Sequence, residues 1–374
     1  MSQGDFVRTY KDWGPVARGR RLHLDLPLLL LLALLCGFGL VTLYSASGSD
    51  LDYVKRQATF MAVGWVVMLV VAQIDPRTVE RWSLFFYVGG VILLLAVLVV
   101  GVEAKGAQRW LDIGITRVQP SELMKVALPV YVSAYLGRRP LPPRFEHVMG
   151  AVILILMPPA LIGLQPDLGT ALVIASTGAI VLLLSGLSKR YIFGAFISAM
   201  AALPVFWFYL LHDYQKTRIL TMLDPQQDKL GAGWNIIQST TAIGSGGFEG
   251  KGYMLGTQSH LNFLPESHTD FIIAVLSEEF GFVGVFGLMV IYALIIARCL
   301  MISLRAQSMY GKLYSSSVSL GFFVYIFVNM GMVSGILPVV GMPLPFMSYG
   351  GTAILTMMLG FGLLMAISTE KRRN

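Results

Sequence analysis

The sequence is poor in charged residues and in cysteine. Only 13% of its 374 residues are charged and 55% are hydrophobic, whereas ordinary soluble domains are about 25% charged. Cys36 and Cys299 are the only cysteines, both within or at the end of apolar segments, and nothing has zinc-ligand spacing. These shortages exclude a soluble fold, a disulfide framework and a zinc module. They predict an all-α polytopic membrane protein in which both cysteines are buried.

Ten apolar runs approach the length needed to cross a bilayer. They cover approximately residues 26–43, 57–74, 82–101, 119–136, 148–164, 169–187, 191–211, 271–298, 314–336 and 349–368. No internal repeat relates them, which argues against a transporter built from two repeated halves. We expect one transmembrane domain over 26–368, between an N-terminal tail at 1–25 and a C-terminal tail at 369–374. Prolines inside the fifth and seventh runs predict kinks.

The distribution of lysine and arginine predicts the orientation in the membrane. With the N-terminus placed in the cytoplasm, 18 of the 28 Lys and Arg lie on the cytoplasmic side, 9 on the outer side and one, Lys125, within a run. This asymmetry is the positive-inside pattern, so both termini are expected in the cytoplasm. The basic balance then reflects topology, and a nucleic-acid partner has no support.

The largest outer loop is predicted between helices 7 and 8, over residues 212–270. It is rich in glycine and polar side chains, and loops of this length in compact proteins are usually functional. Residues 234–243 within it have helical spacing. A proline- and glycine-rich segment at 337–351 predicts a rigid re-entrant turn lining a cavity. We therefore expect the functional site at the outer face.

Cationic side chains gather at the predicted outer boundary. Arg109 and Arg117 precede the fourth run, Lys125 lies near its start, and Lys216 and Arg218 begin the long loop. Such groups suit a phosphate or diphosphate headgroup.

The start of the fourth run also permits a purely structural interpretation. Ser121 is expected to begin the helix, and Glu122 and Lys125, three residues apart, can then pair on one helical face. A buried pair of this kind would neutralise itself and bind nothing. Asp167, before the sixth run, is interpreted as a helix cap.

Asp270 lies where a polar turn meets the eighth apolar run. At this position its carboxylate can face water and a lipid headgroup together, which makes it a candidate for chemistry. The alternative is that Asp270 only caps the helix, a role that aspartate fills well. Glu278 and Glu279 follow about two turns deeper, at ~1.5 Å rise per residue, where ionisable groups are costly and usually functional.

The motifs together resemble those of the SEDS family (shape, elongation, division and sporulation proteins). They occur in order over residues 106–351: Arg-Trp with Gln-Pro-Ser-Glu-Leu-x-Lys, Gln-Pro-Asp-Leu-Gly-Thr, Gly-Lys-Gly, Leu-Pro-Glu-Ser-His-Thr-Asp-Phe and Pro-Leu-Pro-Phe-Met-Ser-Tyr-Gly-Gly. The ten-span layout extends the resemblance over nearly the whole chain. The Leu-Pro-Val-Val-Gly-Met-Pro-Leu-Pro variant and the short N-terminal tail are more similar to the elongation branch of the family than to its division branch.

The resemblance implies a peptidoglycan glycosyltransferase of the bacterial cytoplasmic (inner) membrane. Such an enzyme polymerises lipid II on the outer face for wall elongation and rod shape. The implied partners are a class B penicillin-binding transpeptidase, other elongation-complex proteins and membrane lipid. The family's essential carboxylate maps onto Asp270, and two of its basic positions map onto Arg117 and Lys125.

The residues fit this chemistry. The lipid diphosphate leaves as an anion, which needs positive charge rather than a general acid. The attacking hydroxyl must lose a proton, which calls for one carboxylate base, predicted to be Asp270. An α-linked donor that gives a β-linked polymer requires a single inverting displacement. The predicted substrate-binding residues are Arg109, Arg117, Gln119, Glu122, Lys125, Lys216, Arg218, Glu266, His268 and Ser348.

No cofactor or metal site is predicted, and a role for a divalent cation, Mg²⁺ or Mn²⁺, is left open. Two other functions also stay open. A lipid II flippase would use Glu122, Lys125, Glu278 and Glu279 along a polar path. A non-enzymatic scaffold of the wall-synthesis machinery would need no chemistry at all.

Overall fold

The computed structural model describes residues 23–104, 107–112, 114, 117–211, 213–228, 231–260 and 266–370. The N-terminal tail up to residue 22, the first two residues of the 264–271 motif, the C-terminal residues 371–374 and the side chain of Arg117 lie outside the described part.

Ten helices coincide with the ten predicted runs. They are α1 (Leu26–Ala46), α2 (Leu51–Ala72), α3 (Pro76–Val100), α4 (Pro120–Gly137), α5 (Phe145–Gly163), α6 (Leu168–Leu184), α7 (Lys189–Val205), α11 (Ile272–Arg305), α12 (Met309–Val333) and α13 (Gly351–Ser368). The long loop contains α8 (Asp213–Leu223), α9 (Ala232–Gly246) and α10 (Thr257–His260). The all-α fold is confirmed, and α9 confirms the helix expected over 234–243.

Eight of the helices in the described part are long and apolar enough to cross a membrane. This confirms the polytopic class. Among the ten, α4 and α6 fall outside this set, and α6 has only 17 residues. The exact number of crossings and the orientation of the bundle therefore stay predictions. We call the end that carries the 212–270 loop the outer end.

The two largest clusters of the described core lie on either side of α12. One cluster joins α1, α2, α11 and α13, with Leu32 and Met358 fully buried in it, and the other joins α3 to α6, with Leu128 and Ile174. Helix α12 contacts α4, α6, α11 and α13, so its side chains reach both clusters. Cys36 and Cys299 are free and buried, as predicted.

A small antiparallel sheet between α3 and α4 was not predicted. Its strands are β1 (Val102–Ala104), β2 (Ala107–Asp112) and β3 (Arg117–Val118), in the order β1-β2-β3. Asp112 pairs with Arg117 at the end of β2 and accepts a hydrogen bond from the backbone N of Gly114, 2.8 Å away. The sheet lies at the outer end and carries Arg109.

Helix α4 begins one residue earlier than expected. Pro120 is its first residue and Gln119 is its N-cap, without a side-chain hydrogen bond, so Ser121 is not the cap. Proline is favoured at the first helical position because no partner is needed there for the missing N–H.

Helix α11 is interrupted at Gly281, whose φ of 61° and ψ of −158° are not helical. The backbone after α9 supplies the hydrogen bonds that the interruption removes. The backbone N of Phe282 donates to the carbonyl of Gly247 (3.0 Å), and that of Val283 donates to the carbonyl of Phe248 (3.1 Å).

Glycine is required for this close approach. A Cβ on Gly246 would lie 1.9 Å from the carbonyl oxygen of Ser277, and one on Gly250 would lie 2.1 Å from that of Glu279. We call Gly246, Gly250 and Gly281 the three-glycine junction. It fixes the long loop against the outer part of α11, which follows directly after Asp270.

Candidate active site

Asp270 lies in a tight turn over residues 266–271 and is half-buried. The helix that follows begins at Ile272, with Phe271 at the N-cap position and no side-chain cap hydrogen bond. The interpretation of Asp270 as the helix cap is therefore wrong. Its carboxylate is not needed to begin α11.

Three hydrogen bonds from different parts of the bundle hold this turn. Ser267 donates to the carbonyl of the last residue of α1 (3.1 Å), and the backbone N of Tyr349 donates to the carbonyl of His268 (2.9 Å). Asn329 of α12 donates through Nδ2 to the carbonyl of Asp270 itself (2.9 Å). The turn is therefore attached to rigid helices, as a precise site requires.

The predicted binding residues Glu266 and His268 belong to the same turn. The His268 ring lies 4.9 Å from the Tyr53 ring, and Tyr53 packs edge-on against Tyr349 at 5.3 Å. Glu266 has a φ of 62° and accepts a hydrogen bond at Oε2 from the hydroxyl of Thr269 (2.7 Å). The structure thus brings a carboxylate, an imidazole and two phenol rings together around Asp270.

The expected re-entrant segment is irregular from 337 to 350 and lies beside this turn. At Gly341, with a φ of 71°, an added Cβ would stand 3.5 Å from Asp270 Oδ2. Ser348, a predicted binding residue, is 2% exposed and accepts a hydrogen bond at Oγ from the backbone N of Leu344 (2.8 Å). Its carbonyl accepts from Gln57 Nε2 (2.8 Å), so Ser348 shapes the segment from within.

A cationic pocket opens on the other side of the same segment. It holds about 110 Å³ between β2, the start of α6, α8 and residues 338–340. Arg109 donates to the carbonyl of Pro166 (2.7 Å) and lies 3.6 Å from the Asp167 carboxylate. Arg218 donates to the carbonyl of Val339 (3.1 Å). Two guanidinium groups facing one carboxylate leave the pocket positively charged.

The neighbours of this pocket have defined roles. Asp167 accepts a hydrogen bond from the backbone N of Thr170 (3.2 Å) and caps α6, as predicted. Lys216 lies 3.9 Å from Asp213 on the same helix and does not line the pocket. Of the five predicted cationic residues, the structure brings Arg109 and Arg218 together in this pocket.

Lys125 lies elsewhere, in an ion pair with Glu122. Lys125 Nζ is 2.5 Å from Glu122 Oε1, and each side chain is only 9% exposed. The hydroxyl of Thr356 donates to the other carboxylate oxygen (3.1 Å), and Nζ lies 5.2 Å above the Tyr325 ring. The predicted pairing of these two residues is confirmed, and Gln119 lies half-buried just before them.

The two glutamates of α11 hold loop segments against the helix. Glu278 is fully buried and accepts hydrogen bonds from Lys251 Nζ (2.7 Å) and from the backbone N atoms of Thr257 (2.8 Å) and Gln258 (3.0 Å). Glu279 accepts a hydrogen bond from Ser45 at the end of α1. Their predicted depth made both glutamates functional candidates, but these partners could not be predicted because they lie in separate segments of the chain.

Within the described ranges, no group of three or more His, Cys, Asp or Glu side chains could hold a metal ion. The described site consists of the turn that carries Asp270 and the cationic pocket, at the outer end of a multipass helical bundle. These features define a polytopic membrane protein with a polar site at one end of its helical bundle. The chain belongs to the FtsW/RodA/SpoVE family of cell cycle proteins, whose model matches residues 26–373.

Curated relatives and solved structures agree with this assignment. The chain is 50% identical over 352 residues to the peptidoglycan glycosyltransferase MrdB of Escherichia coli K12, covering 94% of this chain and 95% of that protein. It is 37% identical to a probable peptidoglycan glycosyltransferase FtsW of Trichlorobacter lovleyi, covering 93% and 94%.

Two solved structures have the same fold. One, from a peptidoglycan synthase complex that coordinates polymerization and crosslinking, matches with a TM-score of 0.81 at 31% identity, over 92% of this chain and 97% of that one. The rod shape determining protein RodA of Thermus thermophilus matches with a TM-score of 0.71 at 27% identity, over 94% and 98%.

Proposed function

We propose that this protein is a peptidoglycan glycosyltransferase of the bacterial inner membrane that polymerises lipid II into glycan strands. One observation carries the proposal. Residues 338–340 line the cationic pocket, and the next residue, Gly341, lies beside the Asp270 carboxylate. A base and an anion-binding group are thus adjacent at the end of the bundle where membrane-held substrates arrive.

Asp270 acts as the general base. Its carboxylate takes the proton from the acceptor hydroxyl as that oxygen attacks the anomeric carbon of the donor sugar. The bond from this carbon to the diphosphate breaks on the opposite face, so the configuration inverts, and undecaprenyl diphosphate leaves as an anion. No second carboxylate is needed, because the leaving group requires no proton.

The pocket of Arg109 and Arg218 binds the diphosphate of a substrate. Guanidinium groups match phosphate oxygens in pairs, and a site partly shielded from water strengthens the attraction to the charge that develops on the leaving group. Both arginines already donate one hydrogen bond to a backbone carbonyl, which holds them in place before substrate arrives. Arg117, Gln119, Lys216, Glu266 and His268 complete the proposed substrate-binding surface around these two centres.

The partner proposed for this enzyme is a class B penicillin-binding transpeptidase. The matching synthase complex combines polymerization with crosslinking, and polymerisation alone leaves strands that a transpeptidase must join. Other elongation-complex proteins and membrane lipid complete the proposed set of partners, and the role proposed for the enzyme is wall elongation.

The flippase alternative loses part of its support. It rested on four charged side chains along a polar path, and Glu122 and Glu278 are held by Lys125 and Lys251. Their hydrogen bonds serve packing between helices and loops.

Purified protein incubated with lipid II alone tests the proposal. We expect glycan strands longer than the starting disaccharide on a sizing gel, in the absence of any transpeptidase. A flippase or a scaffold would leave lipid II unpolymerised. Repeating the reaction with a chelator, and then with Mg²⁺ or Mn²⁺ restored, determines whether a divalent cation takes part.

Arg218→Gln tests the cationic pocket, since glutamine keeps a donor but removes the charge. A charge-assisted hydrogen bond contributes about 1.5–3 kcal/mol, so kcat/KM for lipid II should fall about 10- to 150-fold. Lys55→Gln is the matched control, because Lys55 is an exposed cation at the outer start of α2 that pairs with the equally exposed Asp52 on the same helix. Equal losses in both variants would mean that general surface charge, and not the pocket, attracts the substrate.

A further inference from the structure

Asn329 is a buried amide on α12, four residues before that helix ends at Val333. Its side chain is 0% exposed, and its neighbours along the helix are mostly apolar. Polar groups buried at membrane depth are costly and are usually functional.

The Nδ2 atom of Asn329 bridges two segments of the site. It donates to the carbonyl of Asp270 (2.9 Å) and to the carbonyl of Met342 (2.6 Å). Two carbonyl oxygens at these distances require a donor with two hydrogens, which fixes this atom as the amide nitrogen. Both N–H groups of the amide are therefore used, one on each segment.

The amide oxygen of Asn329, Oδ1, lowers the stability of the fold. Among the described residues, Asn329 Oδ1 is buried without a hydrogen-bond partner, and an unsatisfied buried acceptor destabilises a fold because its lost hydration is not replaced. An apolar side chain would avoid this cost if the position only needed filling. The presence of an amide at this position is explained by the two backbone carbonyls, those of Asp270 and Met342, to which its N–H groups donate.

The two N–H groups of Asn329 set the spacing between Asp270, the proposed base, and the re-entrant segment. Met342 follows Gly341, the residue at which a Cβ would stand 3.5 Å from Asp270 Oδ2. Because Gly341 has no side chain and a φ of 71°, no atom of this residue occupies the position 3.5 Å from that oxygen. Asn329 fixes the backbone on both sides of that position.

We propose that Asn329 is a positioning residue that sets the gap between the Asp270 carboxylate and the 341–342 backbone, in which the acceptor hydroxyl is received. This inference rests on the proposed function, because it assumes that Asp270 is the base. Asn329 touches neither substrate nor proton. It acts through the main chain of Asp270 and Met342.

The test compares Asn329→Ser and Asn329→Ala with Ser239→Ala. Serine keeps one donor and alanine keeps none. Ser239 is the matched control, since it is 0% exposed and its hydroxyl donates to the α12 carbonyl of Val333 (2.8 Å) without contacting the Asp270 turn. Lipid II polymerisation is measured per folded molecule, after size exclusion in detergent, to give kcat and KM separately.

We expect kcat to fall roughly 10-fold in Asn329→Ser and about 100-fold in Asn329→Ala, the scale of a misplaced reacting group, with KM nearly unchanged. Ser239→Ala should keep its kcat. A loss of folded protein with normal kcat per folded molecule, or a rise in KM alone, would show that Asn329 is only structural. If Asn329→Ala does not fold, the serine variant decides by the same criteria.

The Asp270→Asn background separates this inference from the proposed function. With the base removed, Asn329→Ser should not lower the remaining rate further, because there is no carboxylate to position. If Asp270→Asn keeps the wild-type rate, the assignment of the base is wrong. If Asp270→Asn is inactive but Asn329→Ser has the same kcat as Ser239→Ala, the base is correctly assigned and only the positioning role of Asn329 is wrong.

Discussion

Asp270→Asn is expected to fold and express like the wild type and to lose about 100-fold or more of its polymerisation rate, the scale of a lost general base. Asparagine keeps the size of the side chain but accepts no proton from the hydroxyl. Because Asp270 does not cap α11, little stability should be lost. Asp270→Glu should recover little, since one methylene moves the carboxylate out of the gap beside Gly341.

The control for this experiment is Asp50→Asn. Asp50 caps α2 at the outer end by accepting a hydrogen bond from the backbone N of Asp52 (2.8 Å), and asparagine caps about as well as aspartate. The rates of the three variants are measured with lipid II, and thermal unfolding is followed in detergent. Near-wild-type glycan from Asp270→Asn would reject the base and return the flippase to consideration.

Lys125→Ala is expected to destabilise the protein by about 3–5 kcal/mol, because it leaves the Glu122 carboxylate buried without its cation. The double change Glu122→Gln with Lys125→Met should restore most of this stability, since it removes both charges and keeps the volume. Unfolding in detergent and the yield of monodisperse protein measure both effects.

The catalytic rate of the double variant then separates two roles of Lys125. If the stable double variant polymerises lipid II normally, the pair serves the fold. If Lys125→Ala is as stable as wild type and loses only substrate use, Lys125 binds an anion and the pairing with Glu122 contributes little to folding. Arg138→Ala is a suitable control, because its ion pair with Glu80 lies on the exposed surface, where such pairs contribute about 0–1 kcal/mol.

The transmembrane framework was predictable because lipid imposes one rule on every span. Each crossing needs about 20 apolar residues with all backbone groups bonded internally, and every predicted run coincides with a helix. The interruption at Gly281 was not predictable. A glycine in an apolar run is compatible with a continuous helix, and the carbonyls that compensate for the break belong to Gly247 and Phe248, over 30 residues earlier.

The site was predictable in its chemistry and less so in its geometry. Asp270 stood out as a carboxylate at a helix start, yet capping could be excluded only once Phe271 was seen at the cap position. Arg109 and Lys125 looked like one cationic group by composition. The small sheet directs Arg109 toward Pro166, whereas Lys125 faces Glu122 one turn away. Asn329 could have been noticed as the one amide in its apolar run, but its two acceptors lie in separate segments.

The three attachments of the Asp270 turn have a consequence for biosynthesis. The bond from Ser267 reaches 221 residues back to α1, and the bonds from Asn329 and Tyr349 come from chain made after the turn itself. A nascent chain inserted up to α11 therefore carries its carboxylate with the attachment to α1 only, and without the two that come from Asn329 and Tyr349. We therefore expect a chain truncated before α12 to be inert toward the lipid precursors around it, because its carboxylate is held in place only once the last two helices have packed.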